Sequence, residues 1–407
     1  MRRLLTPGNG IAVAIIVAVA TMVAVANLRD MSRSRVAYTR PALAGTRGAG
    51  TSTGDLHGRV IDLRQRLSRE PRDVGVAIML GDALVRQART SGNGGLAIEA
   101  ERALKKALDG DVANYDANSI LASIYLSQHR FREAIAIAER NRGERPDDPI
   151  NYGVIGDGHL ELGEYEQAFG AFDRMMALRP SAAAYARVAY ARELQGNLAG
   201  AVESMRLAAE ATGAGDPESI AWHRSQVGDL LVRLGKLREA EAEYVAASQA
   251  YPGHPFALMG YASLLAARGD RSSALTLLEN LQRTAPTPDV AARIGDLLAE
   301  LGRPAEAERQ WALAEAGWRS DAPEPKNLAR FLADHDRKLD EAVAIAEKAA
   351  ADRQDIFTED ALAWAYFKGG RLADARATIK RALRTGTLDR DIRKHAAAIE
   401  RVVGGND

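Results

Sequence analysis

Residues able to do chemistry are few and scattered. Seven histidines occur, His57, His129, His159, His223, His254, His335 and His395, and no two are spaced to share a helical face as metal ligands. There is no His-Glu-x-x-His run and no Gly-x-Ser-x-Gly elbow. Gly48, Gly50 and Gly54 follow no strand, so they make a poor phosphate cradle. Cysteine is absent, which removes disulfides, thiolate metal sites, Fe–S clusters, a cysteine nucleophile and a lipidated N-terminal cysteine. These observations point away from an enzyme, a cofactor or a metal. One pattern does recur. Asp82, Asp157, Asp229 and Asp296 each follow a large residue and a glycine, as in Leu80-Gly81-Asp82, Ile155-Gly156-Asp157, Val227-Gly228-Asp229 and Ile294-Gly295-Asp296. A carboxylate repeated at one structural position can steer and register a basic or mixed polypeptide. It can equally be solvated or bonded within its own element. Both readings stand at this point.

The elements that carry these aspartates are set by nine alanines: Ala100, Ala134, Ala168, Ala201, Ala240, Ala274, Ala307, Ala342 and Ala375. Their intervals are 34, 34, 33, 39, 34, 33, 35 and 33 residues. Four residues on stand Leu104, Ala138, Phe172, Met205, Tyr244, Leu278, Trp311, Ala346 and Ile379; seven on, mostly small or apolar residues. Offsets of 0, 4 and 7 share one face of a helix. Five residues before the anchor stands Gly95, Gly163, Gly196, Gly235, Gly269, Gly302 or Gly370, and only His129 and Arg337 break the series. Glycine there fits the left-handed end of a preceding helix. Thirteen and twelve residues before most anchors lies a large-small pair, such as Leu121-Ala122 or Val188-Ala189, which marks a helix crossing. Pro146, Pro180, Pro252 and Pro286 follow four anchors by twelve residues and stop the second helix. The unit is a helical hairpin, and such a unit cannot bury its apolar face alone. The fold class is therefore all-α. Composition agrees, at 46% hydrophobic but 5% aromatic, with no strand-like alternation.

This register of a large-small pair, an alanine and a closing proline at a period near 34 resembles the tetratricopeptide repeat family over residues 72–388. The resemblance implies a right-handed α-solenoid of about nine hairpins that binds proteins. It places the residue after the small position on the inner wall. That puts Asp82, Asp157, Asp229 and Asp296 in a groove with Tyr190, Phe331 and Trp364, and with Ser123 and Ser263 at the remaining places. An extended peptide is the implied partner. Family members that clamp a free C-terminus use Lys and Asn where this chain has Ser119, Gly153, Ser225 and Met259, so carboxylate clamping is not expected. The chain is also similar to bacterial membrane-anchored or exported members of envelope assembly, though without the C-terminal cysteine module of the lipopolysaccharide-assembly type. Repeat eight is the weakest, with Ala329-Arg330 at the pair. Repeat one carries seven extra residues, expected as a polar turn around Arg89–Gly94. The long interval before Ala240 predicts a loop at Thr212–Pro217.

The ends differ from the repeats. Leu56, Val60, Leu63 and Leu67 share a face, which predicts an N-capping helix over 55–71. Ile392, Ala396 and Ile399 predict a C-terminal capping helix within 389–407. Ile11–Ala26 is uncharged, and the apolar run reaches Leu28, at the short end for a membrane span. Residues 1–31 thus read as a signal or anchor, and 32–54 as a flexible linker. Arg2, Arg3 and the Ala24-Val25-Ala26 motif favour export, cleaved or anchored. Arg29, Arg33, Arg35 and Arg40 favour a cytoplasmic solenoid instead. Lys and Arg balance Asp and Glu at 54 each, so no global field draws in nucleic acid. Between Lys368 and Arg401 ten basic residues stand against four acidic ones, with Arg376, Lys380 and Arg384 on one helical face. That face suits either solvent or an anionic surface. The expectation is a non-enzymatic scaffold; the alternatives are a structural spacer without a selective groove and, least favoured, an enzyme with a site formed between repeats.

Overall fold

The computed structural model describes residues 53–91, 94–320 and 325–403, and every element among them is a helix. A lone helix α1 (Thr53–Arg69) precedes nine hairpins. They are α2 (Val74–Ser91) with α3 (Gly94–Leu108), α4 (Tyr115–Ser127) with α5 (Phe131–Glu144), and α6 (Pro149–Leu162) with α7 (Tyr165–Leu178). Next come α8 (Ala182–Leu194) with α9 (Leu198–Ala211), α10 (Pro217–Arg233) with α11 (Leu237–Ala250), and α12 (Pro255–Ala267) with α13 (Arg271–Thr284). The last three are α14 (Pro288–Glu300) with α15 (Pro304–Ser320), α16 (Pro325–Asp334) with α17 (Leu339–Asp352), and α18 (Ile356–Lys368) with α19 (Leu372–Ala382). Helix α20 (Arg390–Val403) follows. Residues Ala209–Ala314 form one compact unit; 53–208 and 315–403 together form the other. The apolar segment 11–28 and the linker lie outside the described residues. Among the described residues, no helix is long and apolar enough to cross a membrane.

Helix starts are set by local chemistry. Asp148, Asp216 and Thr287 cap α6, α10 and α14 with their side chains, each followed by a proline that needs no hydrogen-bond acceptor. First helices end in a tight turn closed by a bond from residue i to the carbonyl of i−5, as in Glu164 N–H to His159 O and Arg303 N–H to Leu298 O. Gly163, Gly196, Gly235, Gly269, Gly302 and Gly370 all take positive φ there. In hairpin two His129 adopts the same conformation, with φ 59°, and Arg130 N–H closes the turn on Tyr125 O. Gly95 is a correction, because it lies inside α3 and not in a turn. The extra residues of hairpin one lengthen α2 to 18 residues, so Arg89–Ser91 are helical and not a polar turn; Gly92 and Asn93 lie outside the described residues. In hairpin five, α10 runs 17 residues where α8 has 13, and a loop at 212–216 precedes it.

Hairpin eight is out of register by one. Its large-small pair is Leu328-Ala329, both buried, rather than Ala329-Arg330. Arg337 N–H closes the turn on Leu332 O with Asp336 at φ 51°, and Lys338 at φ 44° is the inserted residue. Counting back from Ala342 at a fixed offset therefore lands one residue late.

All nine anchor alanines have 0% exposure, so each is a true point of backbone approach. Glycine stands at the small position wherever the residue four beyond the anchor is aromatic, whereas leucine there stands opposite glycine in hairpin one and alanine in hairpin six. A Cβ on Gly228 would lie 2.5 Å from Tyr244, one on Gly295 2.5 Å from Trp311, and one on Gly81 2.8 Å from Leu104. Gly156 likewise lies hard against the Phe172 ring. Where the partner is Ala138, Met205, Leu278 or Ile379, the small residue is instead Ala122, Ala189, Ala262 or Ala363. Outside the repeats, Leu56, Val60 and Leu63 of α1 and Ile392, Ala396 and Ile399 of α20 are buried.

Two predictions follow from this packing. Gly156→Ala should destabilise the protein by about 2–3 kcal/mol through overpacking, and Phe172→Leu should relieve part of that cost, so a double-mutant cycle by denaturant unfolding should show favourable coupling. In the unit 209–314, burial pushes the imidazoles of His223 and His254 down to about 4. Neutral His254 also caps α12 by accepting from Ala257 N–H. An unfolded histidine takes a proton near 6.5, so each stabilises fully above that pH and progressively less towards 4, by up to about 3 kcal/mol. Stability against unfolding should fall between pH 7 and pH 5, and His254→Asn, which keeps a cap, should flatten the dependence.

Candidate functional site

The residue after each small position sits on the first helix of its hairpin, and the neighbouring groups decide what it does. Asp82 in α2 pairs with Arg86 one turn on, at 2.9 Å. Asp157 in α6 receives two bonds from Arg187 of α8, Nε at 2.9 Å and Nη2 at 2.6 Å. Arg187 is 2% exposed and also donates to Ala183 O. Burial pushes the Asp157 carboxyl up, and the facing guanidinium acts against that shift.

In the unit 209–314 the aspartates behave differently. Asp229 accepts from Tyr244 Oη at 2.6 Å, and Asp296 accepts from Trp311 Nε1 at 3.0 Å, each 15 residues on in the second helix of the same hairpin. These are the aromatic residues beneath the glycine, so Gly-Asp and the aromatic form one device. The glycine admits the ring and the aspartate holds its polar edge. Burial and the Asp229 carboxylate together push the Tyr244 hydroxyl above its ordinary range. Phe172 has no polar edge, which leaves Asp157 to take Arg187 from the next hairpin. Asp296 is exposed and Asp229 half-buried. Between them, Arg293 of α14 is exposed and donates to Ser263 Oγ of α12 at 3.0 Å. This face of the unit carries both signs of charge with two aromatic rings behind them.

Two of the expected aromatics are corrected. Phe331 is buried at 4% and packs against Trp318 and His335, because the slip in hairpin eight moves Arg330 to the inner position. Arg330 lies 3.6 Å from Asp391. Trp364 is 8% exposed; His395 of α20 stacks on it at 4.1 Å, and its Nε1 donates to Asp334. The capping helix thus covers the place where a groove residue was expected. Tyr190 stays half-buried. Arg187, Tyr244, Arg293 and Trp311 were not singled out as site residues. A separation of 30 joins Asp157 to Arg187 and Ser263 to Arg293, and that spacing was the available signal. The C-terminal basic face is largely spent internally: Arg381 pairs with Glu359, Arg376 lies 3.5 Å from Glu400, and Arg384 rests on Tyr165.

Residues 154–217 and 231–293 each match a family model of the tetratricopeptide repeat. Solved structures share the fold. The human IFIT1 dimer with m7Gppp-AAAA is 12% identical, with 83% of this chain and 78% of that chain covered and a TM-score of 0.53. A chain of the APC/C hetero-tetramer Cut9-Hcn1 is 14% identical at a TM-score of 0.47. It covers 78% of this chain, which spans 55% of that one. PilF of Pseudomonas aeruginosa is 19% identical at a TM-score of 0.42, with 56% and 97% covered. At 12% identity the likeness to the IFIT1 structure is one of fold. No curated protein matches the sequence.

The Asp157–Arg187 pair gives a sharp prediction for the repeats. Asp157→Ala leaves a guanidinium buried without its carboxylate and should cost about 3–5 kcal/mol. Asp157→Ala with Arg187→Met should recover much of that loss in equilibrium unfolding.

Proposed function

We propose that this protein is a non-enzymatic scaffold that holds an extended polypeptide against the first-helix face of its tetratricopeptide repeats. The observation that carries this reading is the mixed-charge face of residues 209–314. There Asp229, Arg293 and Asp296 are exposed or half-buried over the Tyr244 and Trp311 rings. Such a surface offers hydrogen bonds and charge to a peptide backbone and its side chains, with the half-buried Trp311 ring as its apolar area. Asp82 and Tyr190 add a half-buried carboxylate and a half-buried ring in the other unit, whereas Asp157 serves the fold there. A polypeptide of basic or mixed charge suits this face better than nucleic acid, because the chain has no net positive charge to release counterions from a polyanion.

The apolar segment 11–28 supports tethering to a membrane or export across it, and with it a role in envelope assembly or secretion. N-terminal sequencing of the mature protein tests this part. A start at Asn27, or an intact Met1 in the membrane fraction, fits; an intact Met1 in the soluble cytoplasmic fraction does not.

Peptide arrays of graded net charge, read at about 0.05 and 0.5 M salt, test the binding face. Asp229→Asn with Asp296→Asn should weaken basic peptides about three- to tenfold and flatten the salt dependence. Unchanged affinity and salt slope would sink the groove and leave a structural spacer.

A further inference from the structure

The unit made of 53–208 and 315–403 is closed by a seam between residues about two hundred positions apart. The turns ahead of α5, α7 and α9 meet the loop between α17 and α18 and the turn after α19. Arg353 donates to Glu161 at 2.8 Å, lies 3.4 Å from His129 Nδ1, and places its guanidinium 5.2 Å from the Phe131 ring centroid. Ile356 N–H, at the start of α18, donates to Tyr165 Oη at 2.8 Å. Arg384 lies over the Tyr165 ring and reaches Gly163 O and Gln354 O. The backbones themselves meet. A Cβ on Gly163 would collide with the Gln354 carbonyl, and one on Gly196 would sit 2.6 Å from Gly386 O. Asp355 is buried behind the seam. Burial would raise its carboxyl, but Lys326 and Arg353 beside it outweigh that and hold it below the usual range.

The seam differs in kind from the stacking around it. Hairpins are joined by anchor alanines at 0% exposure and by aliphatic side chains. The seam is made mostly of guanidinium, carboxylate, phenol and backbone groups; its apolar members are few, with Ile356 and Phe131 buried and Leu388 45% exposed. Parting it returns polar groups to water and exposes little apolar surface. Parting two stacked hairpins exposes a great deal. The cooperative unit that opens first is therefore the seam.

We propose that this seam is a latch: residues 353–388 dock reversibly on the turns ahead of α5, α7 and α9, and they release as a unit while every hairpin stays folded. Closed, the latch covers those three turns. Open, it frees them and lets the 53–208 and 315–403 stretches separate. Because ion pairs contribute to closure, raised salt favours the open form.

Residue-resolved hydrogen exchange on the full chain tests it. The Ile356 amide reports the seam, since its acceptor lies across it, and the Ile155 and Leu362 amides report α6 and α18. Gly163→Ala adds a methyl that strikes the opposite strand of the seam. Gly370→Ala is the control: it has the same φ of +79°, in the equivalent turn, with nothing within 4 Å of its Cβ. Gly163→Ala should raise Ile356 exchange about tenfold over the control while Ile155 and Leu362 keep their protection. Arg353→Gln with Arg384→Gln should do the same without any change of backbone, as should about 0.5 M salt acting on the unsubstituted chain. Equal Ile356 exchange in the Gly163 and Gly370 variants overturns the latch. So does acceleration of Ile356 only in step with Ile155 and Leu362.

Discussion

Everything in this structure depends on close backbone approach at the anchor alanines. A methyl group is the largest side chain that fits where two helices of one hairpin and the next meet, and nine such sites are wholly buried. Each hairpin then exposes an apolar face that only a neighbour can cover, so stability is distributed along nearest-neighbour interfaces. The volume pairing of glycine with Phe172, Tyr244 and Trp311, and of alanine with smaller partners, is the fine adjustment of the same constraint. It lets one backbone geometry accept side chains of very different size.

Polar groups are added where that packing leaves an edge. The buried Tyr244 phenol and the half-buried Trp311 indole need an acceptor, and the aspartate after the glycine supplies it to each. The same position, freed from that task by Phe172, instead forms a buried bidentate pair with Arg187. One sequence motif thus does two structural jobs. On this face Asp296 and Arg293 keep their charged groups exposed while bonding Trp311 and Ser263. The seam repeats this logic over a longer distance, with polar groups marking the contact that apolar stacking does not hold.

Much of the fold was legible because it is periodic. Anchors, glycine turns and closing prolines sit at constant offsets, and the conformation needed at His129 is forced by its neighbours even without glycine. Departures from the period were not legible. Lys338 inserts one residue, and nothing in composition distinguishes an inserted lysine from a helical one, so Phe331 was assigned to the wrong face. Trp364 reads as a groove residue until α20 is known to lie over it. The extra residues Arg89–Ser91 have polar side chains suited to a turn, yet extend α2. The pairs Asp157–Arg187 and Ser263–Arg293 were written in the sequence at a fixed separation of 30, but only stacking shows that this separation bridges adjacent first helices.

The claim that hairpins lend one another their cover is tested most directly at one central anchor. Ala274, fully buried in α13, can be enlarged to leucine and the chain followed by residue-resolved hydrogen exchange. The account predicts lost protection in α12, α13 and α14 together, because the anchor serves its own hairpin and the next. Loss confined to α13, with α12 and α14 unchanged, would contradict it.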